Sequence, residues 1–164
     1  MAELLCGSEE IRDVVCRILS SRPHPIILRI TSLNLRDVNI CGQKLSRIIQ
    51  HLLTKGTRVT IVVGELPEKE KDKKFFIRLL NGGAKIYYNK RVHVKLILID
   101  RRSYQEVLLM TANLTKTGLY RNYEAGILIS RNRNFYNKAE RFVKEILKSP
   151  TTQPLGRRQR RRRR

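Results

Sequence analysis

His93 and Lys95 stand two positions apart, and Asp100 closes the run His93-Val94-Lys95-Leu96-Ile97-Leu98-Ile99-Asp100. Downstream come Thr111-Ala112-Asn113 and then Asn122-Tyr123-Glu124. These residue types suit displacement at phosphorus. A neutral imidazole is a good nucleophile toward phosphorus and can form a covalent phosphohistidine. Lys95 offers a fixed positive charge to non-bridging oxygens, Asn113 a neutral donor and Thr111 a hydroxyl donor. A carboxylate such as Glu124 can hold the imidazole tautomer and stabilise its charged form. With these groups in place the chemistry needs no metal ion and no cofactor.

Strands must position them. Residues i and i+2 of a strand share a face, so His93 and Lys95 project together from a strand predicted over 92–100. Two further strands are predicted over 106–113 and 123–130. An antiparallel register centred on Ser103 pairs His93 with Asn113 and Lys95 with Thr111, and the next connection pairs Asn113 with Glu124. Three adjacent strands then bring these groups to one end of a sheet. Asp100 lies about 23 Å from His93 along its strand, at roughly 3.3 Å per residue, so its role is support at the far strand end.

The pattern H-x-K-x4-D, followed by Asn113 and by Glu124 eleven residues later, resembles the phospholipase D superfamily. The resemblance covers roughly residues 24 to 148. It implies a phosphodiesterase with a mixed α/β sheet flanked by helices on both faces. His93, Lys95, Asn113 and Glu124 would be catalytic, with Thr111 and Asp100 supporting. Met110-Thr111 stands where the family has Gly-Ser, which keeps the hydroxyl and changes the residue before it. Family members carrying two copies of the motif supply a second histidine from the other copy. This chain has one copy, which implies a homodimer with a composite site.

The rest of the sequence fits such a sheet. Apolar residues at helical spacing mark helices over 8–21 (with Ser8 as N-cap), 42–55 and 68–81. Residues 134–148 form the last, with Phe135, Phe142, Val143, Ile146 and Leu147 on its apolar face. Strands are expected over 24–30, 58–64 and 84–88. Strand, helix, strand in the first half implies a parallel pair with a crossover. The run 92–100 is apolar on both faces, so it belongs at the centre of the sheet. Residues 1–150 read as one catalytic domain. Residues 151–164 read as a disordered tail carrying Arg157, Arg158, Arg160, Arg161, Arg162, Arg163 and Arg164.

Charge points to the substrate. The chain has 164 residues and a formal net charge of +21, from 35 Lys plus Arg against 14 Asp plus Glu. Such a balance favours nucleic acid or an anionic membrane surface as partner. The sequence has no Trp and no apolar run near the ~18 residues of a membrane span. An exposed aromatic helix face is not expected either, so nucleic acid is preferred over membrane, with the arginine tail as a contact. Three cysteines in no repeated spacing argue against a disulfide framework. Without a signal-peptide pattern, the expected location is cytoplasmic. The expected activity is that of a nuclease, alone or with a nucleic-acid-processing partner. A lipid phosphodiesterase and a catalytically weak nucleic-acid-binding module are the alternatives.

Overall fold

Two parallel strands and one antiparallel neighbour form the middle of the sheet in the computed structural model, which describes residues 1–156. β2 (Ile27–Ser32) and β5 (Arg58–Val63) run parallel because the chain between them crosses over through α2 (Leu45–Thr54). β6 (Lys85–Tyr88) adds in parallel after α3 (Glu70–Asn81). On the other side of β2 lie β7 (Lys95–Asp100), β8 (Gln105–Met110) and β9 (Ala125–Ser130), each antiparallel to its neighbour. β1 (Ala2–Cys6) and β10 (Gln153–Pro154) close the edges, giving the order β1-β9-β8-β7-β2-β5-β6-β10.

The helices divide between the two faces. α1 (Ser8–Ser20) buries Ile11, Val14, Val15, Ile18 and Leu19, the stripe its spacing predicts. Burying each contributes roughly 1.5–3 kcal/mol. Gly7, not Ser8, caps it, at φ 104, a conformation open to glycine. α1, α2 and α3 pack with Ile97, Ile99, Ile30 and Ile61 of the sheet. α5 (Arg133–Lys148) covers Leu96, Leu98 and Val107 on the opposite face. β7 is therefore interior and buried on both sides, as its apolar run requires. α5 buries Tyr136 and Val143 and leaves Phe135 and Phe142 exposed, a rotation that corrects both the expected apolar face and the expectation of no exposed aromatic helix face. The ion pair of Arg29 with Glu140, at 2.6 Å, ties the flank of α5 to β2 in that orientation.

Three other expectations need correction. Cys16 and Cys41 form a disulfide that joins α1 to the turn between β3 (Asn39–Ile40) and β4 (Gln43–Lys44). Residues 151–156 are ordered into the domain. Gln153–Pro154 pairs with β6, and the Leu155 N–H donates to the Ile86 carbonyl at 2.8 Å. The arginines at 157–164 lie outside the described residues. Finally, Lys95 pairs with Met110 and Met110 with Gly126, each one residue off the expected register. The β7–β8 loop is Arg101-Arg102-Ser103-Tyr104, closed by the pair Asp100–Gln105, so its centre falls between residues 102 and 103. Arg101 holds it there. Its buried guanidinium donates to the carbonyls of Ile18, Ser21 and Pro23 and pairs with Glu106 at 3.2 Å.

Candidate active site

β2, β5 and β6 end, and β7 begins, at the same edge of the sheet. β8 ends and β9 begins there too. His93 lies two residues before β7 and is exposed, and Lys95 is the half-buried first residue of β7. Among the described residues neither side chain has an ion-pair or hydrogen-bond partner within the protein. A half-buried lysine without a counter-charge is relieved by an anionic ligand.

The chain leading to His93 is held by groups the sequence analysis did not single out. Asn89 is buried and makes the connection. Its Nδ2 donates to the Thr151 and Thr152 hydroxyls at 3.1 and 2.9 Å, and its Oδ1 accepts from the Arg91 N–H at 3.0 Å. The Val92 N–H then donates to the Asn89 carbonyl at 2.9 Å. Gly64, at the end of β5, lets Val92 pass. A Cβ there would sit 2.0 Å from the Val92 carbonyl oxygen. The Thr31 hydroxyl donates to the Val94 carbonyl at 3.0 Å, so His93 is fixed on both sides. A glycine closing the run Arg58–Gly64 was the one visible signal, since glycine at a strand end marks close backbone approach.

Asn113 is reached by the segment that leaves β8. The ladder ends at Thr111 because its side chain replaces its carbonyl. The Ala125 N–H donates to the Thr111 hydroxyl oxygen at 3.0 Å. That hydroxyl in turn donates to Glu124 Oε2 in a short bond. Its single proton is thereby committed, so Thr111 orients Glu124 instead of offering a donor to substrate. Glu124 Oε1 accepts from Asn122 Nδ2 at 3.2 Å, and among the described residues no hydrogen bond joins Glu124 to His93. Met110 is buried in the larger core and leaves the site open.

Asn113 itself is fixed by its oxygen. Its Oδ1 accepts from the Asn34 N–H and faces the Ser32 hydroxyl, both at 3.2 Å. Ser32 ends β2, next to Thr31, which pairs with Leu96 beside Lys95. Asn113 is thus tied to the strand that flanks Lys95. Gly118 in α4 (Lys116–Tyr120) packs on the Asn113 backbone, where a Cβ would meet the carbonyl oxygen at 2.3 Å. Asn113 and Glu124 line a groove of about 1030 Å³, and His93 and Lys95 lie outside its lining. Asp100 stands at the far end of β7, where its Oδ1 accepts from Gln105 Nε2 at 2.9 Å. Among the described residues no three His, Cys, Asp or Glu side chains are grouped to hold a metal ion. No helix among them is long and apolar enough to cross a membrane.

Known proteins share this family and fold. The family model described as cardiolipin synthase, PLD-like domain, matches residues 12–147. No curated protein matches the sequence. The phospholipase D family member Nuc from Salmonella typhimurium superposes with a TM-score of 0.75 at 14% identity, over 94% of this chain and 98% of that one. NucT from Helicobacter pylori superposes at 0.70 and 17%, over 91% and 96%. Phosphatidylserine synthase from Haemophilus influenzae superposes at 0.61 and 19%, over 94% of this chain and 39% of that one. At these identities the likeness is one of fold.

Proposed function

The chain belongs to the phospholipase D-like domain family, and on that premise we propose that it cleaves nucleic acid through a covalent phosphohistidine at His93. The observation that carries the reading is that the segments bearing His93, Lys95, Asn113 and Glu124 meet at one end of the sheet. In the first step an imidazole nitrogen of His93 attacks phosphorus and the bond to the leaving oxygen breaks. Lys95 and the amino group of Asn113 stabilise the charge on the non-bridging oxygens. Water then attacks the phosphohistidine, and the imidazole leaves with phosphate ester released. No step in this sequence requires a metal ion.

In-line displacement puts nucleophile and leaving group on opposite sides of phosphorus, so the departing oxygen needs its proton from a second acid. The chain carries one His-x-Lys motif, and His24 and His51 pack against each other, with ring centroids 5.3 Å apart. The second acid is accordingly His93 of another copy, in a homodimer whose two-fold axis passes beside the site. The net charge of +21 supports nucleic acid as the substrate class.

The test is a substrate panel in chelator. Labelled single- and double-stranded DNA and RNA are incubated with the protein beside phosphatidylglycerol vesicles. Cleavage of nucleic acid alone is expected, by a species of dimer mass in light scattering. Hydrolysis of the lipid with intact nucleic acid would replace this reading by the lipid phosphodiesterase. A monomer that cleaves at full rate would remove the composite site.

A further inference from the structure

The groove beside Asn113 and Glu124 is built from the approach to α3, the β3–β4 hairpin and α4. Most of its carboxylates are already engaged. Asp72 pairs with Arg36 at 3.3 Å and Asp37 with Arg78 at 3.0 Å, while Glu124 is held by Thr111 and Asn122. Glu65 is the remaining acid. Lys44, Lys69, Lys71 and Lys116 are exposed on the groove and make no ion pair among the described residues; Lys44 donates to the Asp37 carbonyl at 3.4 Å, and the other three ammonium groups have no hydrogen-bond partner there. Among the described residues the neutral lining is largely amide and threonine, with Val38 the one aliphatic side chain. Acyl chains would find no apolar wall here, whereas a polyanion would meet three uncommitted ammonium groups.

One aromatic residue lines the same groove. Tyr120 is 43% exposed, and its hydroxyl donates to the Asn39 carbonyl at 2.7 Å. The Arg12 guanidinium lies over the ring, 4.4 Å from its centroid, and is itself fixed by the Leu119 carbonyl at 3.2 Å. The ring is therefore held at its tip and backed by a cation, which leaves it as a rigid platform for stacking. A base can stack on it only if its own face is free. Paired bases inside a duplex have both faces covered by their neighbours, whereas bases of a single strand can be splayed onto an aromatic ring.

Building on the nuclease reading, we infer that this groove binds a single strand of nucleic acid. Lys69, Lys71 and Lys116 contact its phosphates, and one base stacks on Tyr120. Tyr120 and Asn113 line one groove, so a strand lying in it presents a phosphate to the Asn113 amino group.

The experiment uses the full chain with His93→Ala, so that the probe survives, and a labelled DNA of about 12 nucleotides, within the span of known single-strand sites. Anisotropy is read across a salt series for the single strand and its blunt duplex. Combining Lys69→Ala, Lys71→Ala and Lys116→Ala should lower the slope of log affinity against log salt by roughly 2, at about 0.7 per phosphate contact. Tyr120→Leu should weaken single-strand binding about tenfold, and Tyr120→Phe, which keeps the ring over Arg12 and loses the bond to Asn39, should bind more tightly than Tyr120→Leu. The duplex should bind more weakly than the single strand. An unchanged salt slope, equal binding of duplex, or a Tyr120→Phe protein as weak as Tyr120→Leu would overturn the groove. If the His93-intact protein still cleaves DNA in that case, the nuclease reading stands and only the groove falls. If it neither binds nor cleaves nucleic acid, both fall together.

Discussion

The main-chain N–H of Asn34 donates to Oδ1 of Asn113 at 3.2 Å, and that contact settles which end of the amide a substrate meets. The oxygen is occupied, so the amino group is the end left free in the groove. Asn113→Asp keeps an acceptor for Asn34 and Ser32 but removes the donor and adds a charge facing phosphate. Its melting temperature should stay close to that of the parent. Its kcat/KM should fall by about 2.7–4 kcal/mol, the scale of a lost preorganised donor, which is roughly 100- to 1000-fold. Asn113→Ala should lose comparable activity and also stability, because it leaves the Asn34 N–H unpaired. An active Asn113→Asp enzyme would show that the amide serves folding alone.

Gly64 and Val92 touch through backbone atoms, so neither can yield cheaply. Gly64→Ala places a methyl group 2.0 Å from the Val92 carbonyl oxygen and must displace the segment that carries His93. We expect a stability loss of about 1–3 kcal/mol, a melting-temperature drop of roughly 2–12 °C. The fall in kcat should exceed what the unfolded fraction explains at the assay temperature. Normal kcat in the folded protein would show that the approach of Val92 does not position His93.

Thr151 and Thr152 hold Asn89, and Asn89 holds the turn into His93. Two truncations should therefore differ. Ending the chain after Gly156 removes the seven arginines with Gln159 and should flatten the salt dependence of nucleic-acid binding while kcat persists. Ending it after Pro150 strips Asn89 Nδ2 of both hydroxyl acceptors, at a cost of about 1–3 kcal/mol, and should lower kcat as well. Equal kcat for the two proteins would contradict the link from Asn89 to His93.

Much of this was legible in the sequence, for reasons that mark where legibility stops. Helical periodicity located Ile11, Val14, Val15, Ile18 and Leu19 because one stripe faces one core. The run from Leu96 to Ile99 announced a strand buried on both faces. Type and spacing singled out His93, Lys95, Asn113 and Glu124, whose segments the fold brings to one end of the sheet. Register was not, because a one-residue change in loop geometry shifts every pair, and the loop is set by Arg101, whose partners lie about 80 residues away in sequence. β10 has no pattern of its own and exists because β6 offers an edge. The Cys16–Cys41 spacing carries no signal, since the two meet only after α1 and the hairpin have packed.

Acid stability should be governed at the opposite end of the sheet from the site. Burial pulls the His24 imidazole below its ordinary value of 6.5, aided by His51, Arg22, Lys55 and Arg101. The unfolded chain then binds a proton that the folded chain refuses. The contribution of His24 to stability is whole above pH 6.5, declines as pH falls, and is gone once pH has passed the folded-state value. Melting temperature measured from pH 7.5 downward should fall less steeply for His24→Gln than for the parent. Parallel curves would assign the acid sensitivity elsewhere.

The covalent step at His93 is the centre of the account, and trapping it is the most direct measurement. The protein is mixed with a labelled oligonucleotide in chelator, quenched in alkali within the first turnover, digested and read by peptide mass spectrometry. The expected result is a nucleotide adduct on the peptide carrying His93, absent from His93→Asn, whose cleavage is abolished. Cleavage that proceeds at the same rate in His93→Asn, with no adduct on the His93 peptide of the parent, would contradict the account.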